Sequence, residues 1–72
     1  MKHQTKIFSI FGQIESVAAG VMIEKHGCHR IEADKIPETA AISQDGKPAL
    51  FAVVIPAPKQ RIFEDLIRGL RA

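Results

Sequence analysis

The sequence predicts a mainly α fold: a three-helix helix-turn-helix core, followed by a loop or short β-hairpin and a C-terminal helix. Three observations predict it. Apolar residues recur at three- and four-residue steps at Ile7, Ile10, Phe11, Ile14, Val17, Ala18, Val21 and Met22. That is the helical period, whereas a half-buried strand alternates every second residue. A turn signal, Gln44-Asp45-Gly46-Lys47-Pro48, precedes the β-branched run Val53-Val54-Ile55. A second helical stripe then follows Pro56-Ala57-Pro58.

Taken in order, Thr5 can cap a first helix over about 5–11, and Gly12 can take the positive φ that ends it. A second helix is expected over about 14–21. The stripe continues at Cys28 and Ile31, which predicts a short third helix over about 24–32, Glu24-Lys25-His26-Gly27-Cys28-His29-Arg30-Ile31-Glu32. Gly27 costs that helix about 1 kcal/mol relative to alanine, so it needs tertiary support. Residues 33–55 change character: Pro37 and the Asp45-Gly46 turn indicate a loop or small hairpin near 38–54, with Pro48 confining its second strand to an edge or delaying its start. In the last helix, proline sits near the first turn, and Ile62, Phe63, Leu66, Ile67 and Leu70 share one face.

A chain of 72 residues is read as one domain over 1–72, and a marginal one. Domains of this size bury only about 60% of their unfolded surface, so dimerisation often supplies the missing stability. A hydrophobic content of 46% with 25% charged residues is ordinary for a globular protein and argues against disorder. Cys28 is the only cysteine, which rules out an intramolecular disulfide and suits a cytoplasmic setting. The start, Met1 to Lys6, has the charge of a signal-peptide lead, but Ser9, Gly12, Gln13, Glu15 and Ser16 interrupt the apolar stretch behind it. No membrane span is expected. The net charge of +2 arises after Pro56, where Lys59, Arg61, Arg68 and Arg71 outnumber Glu64 and Asp65. Such a surplus is as common on solvated helix faces as at nucleic-acid interfaces.

A helix-turn-helix needs a small residue where its helices cross, apolar residues either side of the turn, and two more on the recognition helix. Val17, Ala18, Val21, Ile23, Cys28 and Ile31 fill those places. The segment Ile14 to Ala18 with Val21, Ile23, Gly27, Cys28 and Ile31 resembles the helix-turn-helix of phage regulators of the lambda repressor and Cro type. Phe11-Gly12, the run Cys28-His29-Arg30-Ile31, and Val54 to Ile67 add to the resemblance. It implies a sequence-specific regulator of transcription, a repressor acting as a homodimer on double-stranded DNA. Residue by residue, it implies Lys25 and Arg30 at guanine edges or phosphates, His26 and His29 as hydrogen-bonding groups, Glu24 at a cytosine amino group, and Gln13 at a phosphate.

Other chemistries fit less well. His26, Cys28 and His29 crowd three metal-ligand types into four residues, whereas structural zinc usually takes four ligands in spaced pairs, so no metal is expected. The acids are scattered among bases and no Gly-rich phosphate loop is present, so no catalytic residues, cofactor or small-molecule ligand are expected. The rival from a different class is a protein-binding module. Residues 41–70, with Gly46-Lys47-Pro48 between two apolar runs, are similar to the hairpin-then-helix of Phd/YefM-type antitoxins. That resemblance implies a strand and then one helix over 5–26, with a dimer core over 41–70. A phage-style inhibitor of a host protein is a further protein-binding reading.

Overall fold

The computed structural model describes residues 5–37 and 46–72. Its elements are β1 (Thr5–Ile10), α1 (Gln13–His26), β2 (His29–Glu32), a single 3-10 turn (Ala33–Lys35), β3 (Phe51–Pro56) and α2 (Ala57–Arg71). The strands form one sheet in the order β1-β3-β2, with β3 antiparallel to both neighbours. β1-α1-β2 is therefore a split β-α-β unit, its two parallel strands held apart by β3.

This corrects the predicted fold class: the described chain is an α/β mixture, and residues 5–32 are not a helix-turn-helix. The expected helix over 5–11 is a strand. Phe8 and Ile10 point to one face of it, and Thr5, Ile7 and Ser9 to the other, as the period of two requires. Gly12 starts a helix instead of ending one. It is the N-cap of α1 in extended geometry, and its carbonyl accepts from the Ser16 amide at 3.0 Å.

The expected helix over 14–21 lies within one longer helix, and the separate helix over 24–32 does not form. α1 runs through residues 13–26 without a turn at Met22, and Gly27 closes it in the left-handed region at φ 67°, ψ 26°. The amides of Gly27 and Cys28 both reach back to the Met22 carbonyl, a glycine-closed helix end. The chain then enters β2, so the stretch read as a recognition helix is half helix end and half strand.

Both helices cover the same side of the sheet. Ile10, Phe51, Val53 and Ile55 from the strands meet Ala18, Ala19 and Met22 from α1 and Phe63 from α2, with Cys28 beside them. Ala18 and Ala19 lack bulk, which lets α1 settle against the sheet. α2 lies over β1 and β3; the Phe63 ring is 5.2 Å from that of Phe8, tilted by 60°, a favourable aromatic geometry. Lys59 donates to the His26 carbonyl at 2.7 Å, so the start of α2 meets the end of α1. Arg71 pairs with Glu15 at the opposite ends, and the two helices are antiparallel.

The six residues assigned to a helix-turn-helix core do not form one. Ala18 and Cys28 are buried, Val21, Ile23 and Ile31 are half-buried, and Val17 is 55% exposed. Ile31 lies on the other side of the sheet, in a smaller cluster with Ala52, Ile36 and Ala49. The C-terminal helix forms where the sequence places it. Phe63 is buried, Ile62, Leu66 and Ile67 pack on the core, and Leu70 projects past it into solvent. The expected hairpin near 38–54 falls partly on residues outside those described. Within the described part, β3 begins at Phe51, after Pro48, and is the central strand.

Candidate functional site

The sheet has one covered face and one that is partly open. On the open side, strand register sets Thr5 beside Pro56, Ile7 beside Val54, and Ser9 beside Ala52, while His29 flanks Val54 from β2. The 3-10 turn leads into Ile36, which with Ala49 shields Ala52 and Ile31. Ile7 and Val54 lie beyond that shield, and Ile7 is 38% exposed. Neither helix reaches this face, so its chemistry is a short apolar strip bordered by the Thr5 and Ser9 side chains and the His29 imidazole.

The strands at the two margins differ. β1 has six residues and one charge, Lys6, and its outer edge has no strand partner among the described residues. β2 has four residues, and Arg30 and Glu32 pair along it at 2.9 Å. The Arg30 guanidinium also sits over the Phe51 ring at 4.1 Å. Charges on an edge strand discourage pairing with another chain. β2 has that protection across half of its length, and β1 has it only near its start.

The residues proposed for DNA contact are not presented by one element. Glu24, Lys25 and His26 occupy the last turn of α1, His29 and Arg30 begin β2, and Gln13 opens α1. Gln13 and His26 are the first and last of the 14 residues of α1, about 20 Å apart at the helical rise. His29 and Arg30 are neighbours in a strand and therefore project to opposite faces. The His26 carbonyl is taken by Lys59, and the Arg30 guanidinium by Glu32 and Phe51. Five of the six thus gather at one end of the molecule, but on different faces. A recognition helix would have aligned them.

No family model, curated protein or solved structure matches this chain. The site is therefore built from its own geometry. Among the described residues no three His, Cys, Asp or Glu side chains are grouped to hold a metal ion, and no helix is long and apolar enough to cross a membrane. A shallow groove of about 480 Å³ runs along the end of α2, lined by Glu64, Ile67, Arg68, Arg71 and Ala72. It is open to solvent and contains no nucleophile-and-base pair of the kind catalysis needs.

Sequence reasoning missed the open face and the edge of β1. The signal was present in Thr5 to Ile10, where β-branched residues are frequent and Phe8 and Ile10 alternate with Ile7 and Ser9. A further apolar group lies at one end of the fold. Phe11 follows β1, Leu50 precedes β3, Val17 is early in α1 and Leu70 ends α2, all four exposed.

Proposed function

We propose that the chain is a protein-binding module that contacts another polypeptide through its sheet. The carrying observation is that both helices cover one face and leave the Ile7–Val54 strip open on the other. Extended polypeptides dock on sheets by fitting alternate side chains, and this face presents the alternate side chains Thr5, Ile7 and Ser9 beside Val54. The strand and single helix across residues 5–26 form the arrangement implied by the antitoxin-type resemblance, which supports this class over the phage-repressor one. A binding role also suits a domain whose groove is shallow and whose core contains no buried polar side chain among the described residues. Buried Cys28 as a free thiol is compatible with a reducing cytoplasm, the compartment we propose.

The test has two arms. A displayed library of extended peptides is selected against the folded chain, and winners are mapped by hydrogen exchange; protection is expected on β1 and on the Val54 side of β3. Fluorescence anisotropy with random and palindromic duplexes at low salt is the second arm. Tight, sequence-dependent duplex binding there, with no selectable peptide, would replace protein binding with nucleic-acid binding.

A further inference from the structure

We infer that one end of the molecule binds the phosphate backbone of nucleic acid without reading its sequence. This goes beyond the protein-binding reading and uses a different surface from the Ile7–Val54 strip.

Connectivity gathers that end. Thr5 pairs with Pro56 and His29 with Val54, so β1 and β2 both start where β3 finishes. α2 starts at the same place, and its Lys59 donates to the His26 carbonyl at 2.7 Å, which brings in the last turn of α1. Lys6, Lys25, Lys59 and Arg61 collect there with the imidazoles of His26 and His29, and Glu24 is the one described acid among them. None of these four Lys and Arg side chains is in an ion pair with a described residue.

Elsewhere the described charges balance. Arg30, Arg68 and Arg71 pair with Glu32, Asp65 and Glu15, and Lys35 and Lys47 are matched in number by Asp34 and Glu64. The positive surplus of the described residues therefore lies at this end. Before Thr5 the sequence adds Lys2 and His3 and no acid. Glu38 and Asp45 belong to the link that joins β2 to β3 at the opposite end, where Glu32 pairs with Phe51.

Helix stability does not account for this charge. Acids are favoured at the start of a helix and cations at its end. Lys25 and His26 follow that rule in α1, but α2 has no acid in its first turn and carries Lys59 and Arg61 near its positive pole.

The character of the surface selects the partner. Exposed Phe11, Val17, Leu50 and Leu70 lie towards the other end and Ile7 is on the open face of the sheet, so no large exposed apolar side chain stands among these cations. Protein interfaces are anchored by large apolar and aromatic groups, and membrane-surface helices by an apolar face. Binding to a nucleic-acid backbone needs cations alone, because neutralised phosphates release their counterions. Here the cations come from β1, α1 and α2, with no single helix presenting them to a groove. Such a set holds phosphates and leaves the bases unread.

The experiment is fluorescence anisotropy with labelled random-sequence duplexes and the full chain, from about 50 to 200 mM salt. Two double variants of equal net charge are compared, K25Q/R61Q at this end and K35Q/K47Q away from it, with circular dichroism confirming that each folds. The unmodified chain is expected to bind duplexes of different sequence alike, log affinity falling against log salt with a slope of about −3 to −4 for four cations. K25Q/R61Q should weaken binding about tenfold or more at low salt and flatten the slope by about two, while K35Q/K47Q changes neither. Equal losses in the two variants overturn the inference, since net charge and not this end would then drive binding. No duplex affinity at low salt overturns it too, as does a preference for one sequence. Polyglutamate and phosphatidylserine vesicles are run alongside, and binding of either without duplex affinity overturns it in favour of an acidic polypeptide or a lipid surface. Amide NMR shifts of the unmodified protein under duplex titration give an independent reading. They should concentrate at residues 5–6, 25–29 and 57–61, and shifts centred on Phe11 and Leu50 overturn the assignment. The peptide selection on the sheet is scored separately, so either idea can fail while the other stands.

Discussion

Two glycines in one helix give opposite answers to the same substitution. Gly20 lies in the middle of α1, and a methyl group built on it meets nothing within 4 Å. Gly20→Ala therefore removes the helical penalty of glycine without a steric cost, a gain of about 0.5–1 kcal/mol. Gly27 also has open space around it, but its φ of 67° is left-handed. An L-residue there costs about 1–2 kcal/mol, offset in part by about 0.4–1 kcal/mol from the stiffer unfolded chain. The net loss is on the order of 1 kcal/mol. In a domain of this size, 1 kcal/mol moves Tm by about 4–8 °C, so the two variants should separate by roughly 10 °C, Gly20→Ala above the unmodified chain and Gly27→Ala below it. Thermal melts at one fixed protein concentration measure this, since any self-association makes Tm depend on concentration. If Gly27→Ala raises Tm as Gly20→Ala does, the helix continues through residue 27. The helix end that separates α1 from β2 would then be wrong.

Four further outcomes follow from the packing. Ala18 is fully buried against the sheet and α2, so Ala18→Leu should cost about 1–3 kcal/mol by overpacking, read from urea unfolding. Phe63→Ala should cost about 3–5 kcal/mol, against a total stability of about 4–11 kcal/mol for 72 residues. Its circular dichroism should show substantial unfolding on modest warming. Lys59→Met keeps most of the stem but removes the cation that closes the end of α1 at 2.7 Å, a loss of about 1 kcal/mol that should shrink in high salt. Arg30→Ala should lower stability by about 0.5–1 kcal/mol through its contact with Phe51, while any weak affinity for duplex DNA stays within experimental error.

The parts of the fold that were legible in the sequence are those with a single buried side. In α2, Ile62, Phe63, Leu66 and Ile67 follow the helical period among charged residues, and Pro58 fits the first turn, so its position was readable. Val53-Val54-Ile55 likewise announced β3. The first half misled because its elements are buried on more than one side. In β1, Phe8 and Ile10 face the helices while Ile7 faces the open side, and choosing Ile7 and Ile10 while passing over Phe8 produces a three-residue step that the backbone does not have. α1 touches both the sheet and α2, so its apolar residues spread around it from Ile14 to Ile23 and no clean stripe marks its limits. Cys28 and Ile31 are three apart by coincidence: one belongs to the main core, the other to the cluster across the sheet. Gly27 supported either reading, because a glycine is tolerated inside a helix and favoured at a left-handed end, and only the second fits the strand that follows it. The proposed DNA-contacting residues inherited that error, since Lys25 and Arg30 share a helical face only if residues 24–32 are helical.

What remains available for recognition follows from the topology. Placing β3 between β1 and β2 buries the most apolar strand at the centre and leaves a strand edge at each side. Both helices are then committed to the same face, where Ala18, Ala19, Met22 and Phe63 pack on Val53 and Ile55. A helix whose apolar side is engaged can still offer its polar side, and at the α1 end the His26 carbonyl already accepts from Lys59. The edges are not equivalent either. β2 neutralises its own charges and ends in a 3-10 turn, whereas β1 runs for six residues with Ile7 exposed and Lys6 as its one charge. An edge of that length and composition favours pairing unless something covers it.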